Sequence, residues 1–407
     1  MKAAIEPKRK SMKKIWLAWL LIAAGVHSVS GEPEPIVLQG RTTAAGPVSE
    51  SLAHEGAAAA QRSAQWLLAK QNPDGYWSNK DFPALTALPL WALVKAGGTE
   101  TGAIGRAVQY ILSCTHDDGS IWREPAVRQK GGGLANYNTA LCMVALHAVG
   151  KPELVPVIQK ARRFIAASQH LGDDLYRGGM GYDPDTGRPY ADLSNSYISY
   201  EAMRLTENVE DLRRSGDPKA DLDWKAAQQF IQRVQNLPGS NDQPWADDSP
   251  DQKGGFAYKP DSSQAGAFTN EDGTIRFRSY ASMTYAGLLS FIYAQTDKTD
   301  PRVASAFDWA SRHWSLDENP GMGQQGLYYF YNVLSKALAL YGQDILSVQD
   351  GRTLHWREEL VKKLVSVQKI EPDGTGYWVN PEGRWWEADP VLVTSYSLLA
   401  LEIALQR

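Results

Sequence analysis

The chain has 407 residues, 43% of them hydrophobic, with 42 Lys and Arg against 46 Asp and Glu. This composition excludes a disordered, collagen-like or disulfide-dense protein, and the length accommodates one large domain or two to three ordinary ones. Six basic residues and one acidic residue fall in the first 30 positions, so the remainder holds 36 basic and 45 acidic side chains, a net charge of −9. Such a surface argues against a nucleic-acid partner, because phosphate binding needs clustered positive charge.

In chain order, the basic stretch Lys8, Arg9, Lys10, Lys13, Lys14 precedes an apolar run from Ile15 to Gly25 and small residues around Ser28 and Ser30. That sequence of features is expected of a secretory signal peptide over residues 1–30, with the mature chain exported to the periplasm or the exterior. The apolar run is shorter than the roughly 20 residues a spanning helix needs. No later stretch is long enough to span either, so the mature chain is expected to have no transmembrane helix, while contact with a membrane surface stays open. Residues 31–56, rich in Pro, Gly, Ser and Ala and without periodicity, read as a flexible linker.

From residue 57 to 407 an irregular repeat recurs: a helix, a Gly/aromatic turn, then a more apolar helix. The turns are Gly75-Tyr-Trp77, Gly119-Ser-Ile-Trp122, Gly178-Gly-Met-Gly-Tyr182, Gly254-Gly-Phe-Ala-Tyr258 and Gly374-Thr-Gly-Tyr-Trp378, with a poorer unit around Gly326. Arg177 to Asp185 and Lys253 to Asp261 form the closest internal pair. Six helix pairs without sustained period-two alternation predict an all-α fold. Second helices that are apolar almost all round must be buried on most sides, which suits an inner ring surrounded by amphipathic first helices. Closure of that ring would remove the end faces of an open array, leaving a barrel with a central cavity.

The run Trp66-Leu-Leu-Ala-Lys-Gln71-Asn-Pro-Asp-Gly75-Tyr-Trp77, and Gln368 with Gly374 and Trp378, resemble the repeats of the squalene cyclase and protein prenyltransferase superfamily. The resemblance implies an α/α toroid (an α6/α6 barrel) of six hairpins. It does not transfer an activity. The Asp-x-Asp-Asp run with which squalene-type cyclases protonate an alkene is missing, and one toroid is half of what such a cyclase carries. Where inner helices begin, only Glu387-Ala-Asp389-Pro390 keeps two carboxylates together, and Asp389 before Pro390 reads foremost as a helix N-cap.

No metal or cofactor is expected. Asp247-Asp248-Ser-Pro-Asp251 spells a magnesium motif but carries Pro250 and precedes Gly254-Gly255, so it reads as an acidic loop. Cys114-Thr-His116 has the wrong order for the prenyltransferase zinc set. Cys114 and Cys142 are equally compatible with a bridge and with buried thiols.

The inner-ring lining remains. Tyr329, Asn332 and Lys336 share one helical face, as do Ser194, Tyr197 and Glu201. Tyr285, Tyr328 and Tyr396 add electron-rich rings able to cover an apolar ligand or face a cation. Three functions are carried forward. The first is a cavity that binds, and in its fuller form modifies, an isoprenoid or other apolar ligand. The second is a non-catalytic scaffold for a protein or envelope component. The third is a carbohydrate-active toroid using paired carboxylates such as Glu201 and Asp389 with Trp stacking; Glu387 is a further candidate catalytic carboxylate.

Overall fold

The computed structural model describes residues 48–98, 102–125, 133–184, 190–271 and 273–406, all within one compact unit. The expected leader, and the linker as far as residue 47, lie outside the described residues. Twelve α-helices occur among the described residues. They are α1 (Glu50–Ala69), α2 (Ala84–Lys95), α3 (Gly102–Leu112), α4 (Ala135–Val149), α5 (Val155–Ala167) and α6 (Leu193–Leu205), then α7 (Trp224–Arg233), α8 (Ala281–Tyr293), α9 (Pro301–Arg312), α10 (Leu327–Tyr341), α11 (Trp356–Val367) and α12 (Pro390–Leu405). Three short antiparallel strand pairs decorate the loops: β1 (Ala267–Thr269) with β2 (Ile275–Phe277), β3 (Ile345–Ser347) with β4 (Thr353–His355), and β5 (Lys369–Ile370) with β6 (Gly376–Tyr377).

The even-numbered helices form the inner layer. Each packs on the next in the order α2, α4, α6, α8, α10, α12, and α12 returns to α2, so the ring is closed. Burial follows the sequence pattern. In α12 every residue from Val391 to Leu401 is buried, whereas the outer α7 buries only the stripe Ala226, Ala227, Phe230 and Ile231. The first outer helix begins at Glu50 and buries Leu52 and Gly56, so residues 50–56, expected in the linker, belong to the ring. Within them Gly56 serves close helix approach, since a Cβ there would lie 2.9 Å from Val361 and 3.0 Å from Leu405.

Neighbouring hairpins are joined by one recurring device. The glutamine that ends an outer helix donates through Nε2 both to its own turn and to the start of the next outer helix. Gln71 reaches the carbonyls of Gly75 (3.0 Å) and Ala103 (2.8 Å), Gln169 those of Gly178 (2.9 Å) and Asp223 (3.1 Å), and Gln235 those of Gly254 (3.1 Å) and Arg302 (2.8 Å). Gln368 closes the circle by donating to the Ala59 carbonyl at 2.9 Å. In five of the six hairpins, a hydroxyl on the inner helix accepts the turn's backbone N–H. Thr86 takes that of Trp77, Thr139 that of Ile121, Ser196 that of Met180, Thr284 that of Phe256 and Thr394 that of Trp378. These buried amides would otherwise be orphaned.

The turn glycines are required by both conformation and proximity. At Gly178, φ is +96° and an added Cβ would sit 1.9 Å from the Ala226 carbonyl oxygen of the next outer helix; Gly374 has φ +83° with nothing within 4 Å. Gly178→Ala should therefore lower stability by more than about 3 kcal/mol, since it adds a backbone clash to left-handed strain, while Gly374→Ala should cost about 1 kcal/mol from strain alone. Urea unfolding of the two variants distinguishes them, and equal losses would refute the joint.

Candidate functional site

The connections from outer to inner helices place the N-termini of the inner ring side by side on one face. There, four of the six inner helices have an N-terminal N–H taken by a side chain from the following hairpin. Asn138 Oδ1 accepts from Ala84 (2.8 Å), Asp183 Oδ1 from Ala135 (2.7 Å), Asn319 Oδ1 from Ser282 (3.0 Å) and Glu387 Oε1 from Tyr329 (2.7 Å). Glu387 is thus the cap of α10, and it also accepts from Asn380 Nδ2 at 2.7 Å. Burial raises its pKa against the pull of those donors. Asp389 caps its own helix, accepting from Val391 N at 2.9 Å.

Three of the predicted lining residues converge deeper in the ring. Lys336 Nζ lies 3.0 Å from Glu201 Oε2 and donates to the Tyr197 hydroxyl at 3.2 Å; Tyr197 in turn donates to Glu201 at 3.1 Å. Two residues that sequence reasoning missed complete the cluster. Tyr293, at the end of α8, donates to Glu201 Oε1 at 3.0 Å, and the Trp91 ring of α2 sits 4.4 Å from the ammonium. Both come from other helices, so no spacing along α6 or α10 could have revealed them. Burial lowers the Lys336 pKa, opposed by Glu201, and raises the Tyr197 and Tyr293 hydroxyls well above the ordinary range, with the neighbouring Glu201 carboxylate adding to the effect.

Nearer the N-terminal face, Tyr329 and Ser194 hydroxyls meet at 3.1 Å, and Tyr396 approaches Tyr137 at 3.5 Å. Asn332 Nδ2 donates to the Tyr396 carbonyl at 3.4 Å. Tyr328 packs edge-on against Tyr331, and Tyr285 lies 5.8 Å from Phe330 with its buried hydroxyl unpartnered among the described residues. The polar lining expected around a cavity is therefore present but largely bonded to itself: α10 is tied to α6 and α12 to α4, pairs that are not neighbours in the ring. Leu141, Ile198 and Leu392 share faces with Tyr137, Ser194 and Tyr396 respectively, and each is buried to 5% exposure.

No cluster of three metal-ligating side chains occurs among the described residues. Asp247, Asp248 and Asp251 lie in a loop, where Asp247 Oδ1 accepts from Ser249 N at 2.9 Å. Cys114 and Cys142 are free and buried.

The ion pair makes a testable energetic statement. Lys336→Met leaves Glu201 buried and unpaired, which should cost about 3–5 kcal/mol. The double variant Lys336→Met, Glu201→Leu should recover most of it. Thermal melts of the wild type and both variants check this, and a double variant as unstable as the single one would overturn the assignment.

No protein-family model matches the chain. A sequence match of 28% identity over 163 residues links it to ent-copalyl diphosphate synthase from a Streptomyces species, spanning 38% of this chain and 30% of that enzyme. Among solved structures it is similar to cellobiose 2-epimerase from Spirochaeta thermophila, with a TM-score of 0.53 at 14% identity over 88% of this chain and 96% of that one. It is also similar to the type II terpene cyclase MstE from Scytonema in complex with merosterolic acid A, with a TM-score of 0.47 at 12% identity over 87% and 98%. At these identities the structural likeness is one of fold alone. The closed ring of six hairpins, with its Gln/Gly/Trp joints, is an α/α toroid, and part of the chain is similar in sequence to ent-copalyl diphosphate synthase.

Proposed function

We propose that the mature chain is exported and that its ring interior binds an apolar molecule of the isoprenoid class at the tyrosine-rich N-terminal end of the inner helices. The observation that carries this reading is the chemistry of the interior. Leu141, Ile198 and Leu392 form its apolar faces, Tyr137, Tyr329 and Tyr396 supply aromatic surface with hydroxyls already bonded, and Glu201 neutralises the deeper Lys336. Such a lining rewards burial of hydrocarbon and asks little polar desolvation of the ligand. The sequence match to ent-copalyl diphosphate synthase supports the ligand class, although it spans less than a third of that enzyme.

Binding, rather than protonation-initiated cyclisation, is the reading favoured for the carboxylates. Glu387 and Asp389 serve as helix caps and Glu201 is held by Lys336, so none of the weak catalytic candidates is a free acid. The same engagements weigh against a glycosidase, which needs two available carboxylates across a scissile bond. The cross-ring bonds of Tyr329 and Lys336 favour the second reading, a scaffold with a filled interior.

Native mass spectrometry of the purified chain with geranylgeraniol decides between them. A one-to-one adduct is expected, and Leu141→Trp or Ile198→Trp, which fill the interior, should abolish it. Absence of any adduct and of any co-extracted lipid would leave the scaffold reading. Amino-terminal sequencing after production in a secretion-competent host should find a start near Ser28 to Gly31, and a retained leader would remove export.

A further inference from the structure

The joint that closes the ring departs from those of the first four turns. Added Cβ atoms on Gly75, Gly119, Gly178 and Gly254 would strike the backbone carbonyls of Arg106, Lys160, Ala226 and Ser305 on the following outer helices, whereas Gly374 of the sixth turn meets nothing within 4 Å. The last turn meets the first outer helix through side chains, and an open cleft of about 730 Å³ lies at this seam.

Its wall is aromatic. Tyr377 stacks on Trp66 at 5.0 Å and 15°, and Tyr76 lies 5.5 Å from Tyr110. Both tyrosines line the cleft and are half-buried, so each commits one side to the protein and keeps area toward the opening. The Trp66 indole nitrogen is buried without a partner among the described residues. Lys70, poised 5.2 Å from the Trp66 ring, brings a positive charge, and Glu371 a negative one. Asn72 uses its Oδ1 to hold the turn through Asp74 N, which leaves its amide N–H groups for other work. Ser78, also on the rim, holds a left-handed backbone (φ +54°), strain of the kind that gathers at ligand clamps.

We propose that this seam cleft binds a neutral saccharide, with pyranose faces against Tyr76 and Tyr377 and hydroxyls met by Lys70, Asn72 and Glu371. The two charges of opposite sign on one rim disfavour a ligand with net charge, and an apolar ligand would strip water from both without replacing it. A polyol with apolar C–H faces satisfies the rings, the donors and the acceptor together. None of these residues belongs to the ring-interior cluster, so this site stands or falls independently of the isoprenoid reading.

Isothermal titration with cellotriose, mannotriose and chitotriose tests it. At least one should bind with one-to-one stoichiometry, and Tyr76→Ala and Tyr377→Ala should each weaken it about tenfold or more. Because the tyrosine variants risk disturbing the ring, Glu371→Gln and Lys70→Ala, at half-exposed and exposed positions, should also weaken binding while the melting temperature stays unchanged. Failure of all three sugars to bind more tightly than several millimolar, or binding indifferent to both the rim and the tyrosine substitutions, would overturn the proposal. Geranylgeraniol binding should be unaltered in the rim variants.

Discussion

Four of the six inner helices take an N-terminal cap from a neighbouring hairpin, while Asp192 and Asp389 cap α6 and α12 from within their own. The N–H groups at the start of α2, α4, α8 and α10 are accepted by Asn138, Asp183, Asn319 and Glu387, all supplied by the next unit along the chain. The carbonyls that open outer helices are likewise met by glutamines of the unit before. A buried unpaired backbone group is costly, so a strip of these units would always leave one end in deficit. Circular closure is the arrangement that leaves no unit without both neighbours, and Gln368 reaching Ala59 completes it.

This dependence constrains the chemistry the interior can offer. Carboxylates at the entrances of inner helices are the groups that protonation-driven reactions would recruit, yet here Glu387 and Asp389 are engaged in holding helix ends. The deeper carboxylate, Glu201, answers a lysine and two phenols. Acidity and structural service compete for the same oxygens, and in this chain the structural role occupies them.

The repeat architecture was legible because each unit writes its joint locally: Gln, a short spacer, Gly and an aromatic residue are enough to announce both the turn and its contacts. The helical faces carrying Tyr197 with Glu201, and Asn332 with Lys336, were legible for the same reason, since spacing within one helix fixes a face. Tyr293 and Trp91 were not, because their place beside Glu201 and Lys336 depends on how four separate helices are arranged around the ring. The start of the ring at Glu50 was hidden by composition, since an alanine- and glycine-rich stretch reads alike as linker or as a helix that must approach its neighbours closely. The role of Glu387 was hidden by direction, as it caps a helix in the preceding hairpin rather than its own.

The bond from Gln368 to Ala59 spans 309 positions of the chain. At synthesis rates of about 5–20 residues per second, the first hairpin waits tens of seconds for the partner that completes it. During that interval the flank of α1 that carries Gly56 is uncovered, and the earliest part of the toroid to be made is the last to be finished. The topology that leaves the folded ring without ends therefore leaves the nascent chain with an uncovered edge until its last unit is made.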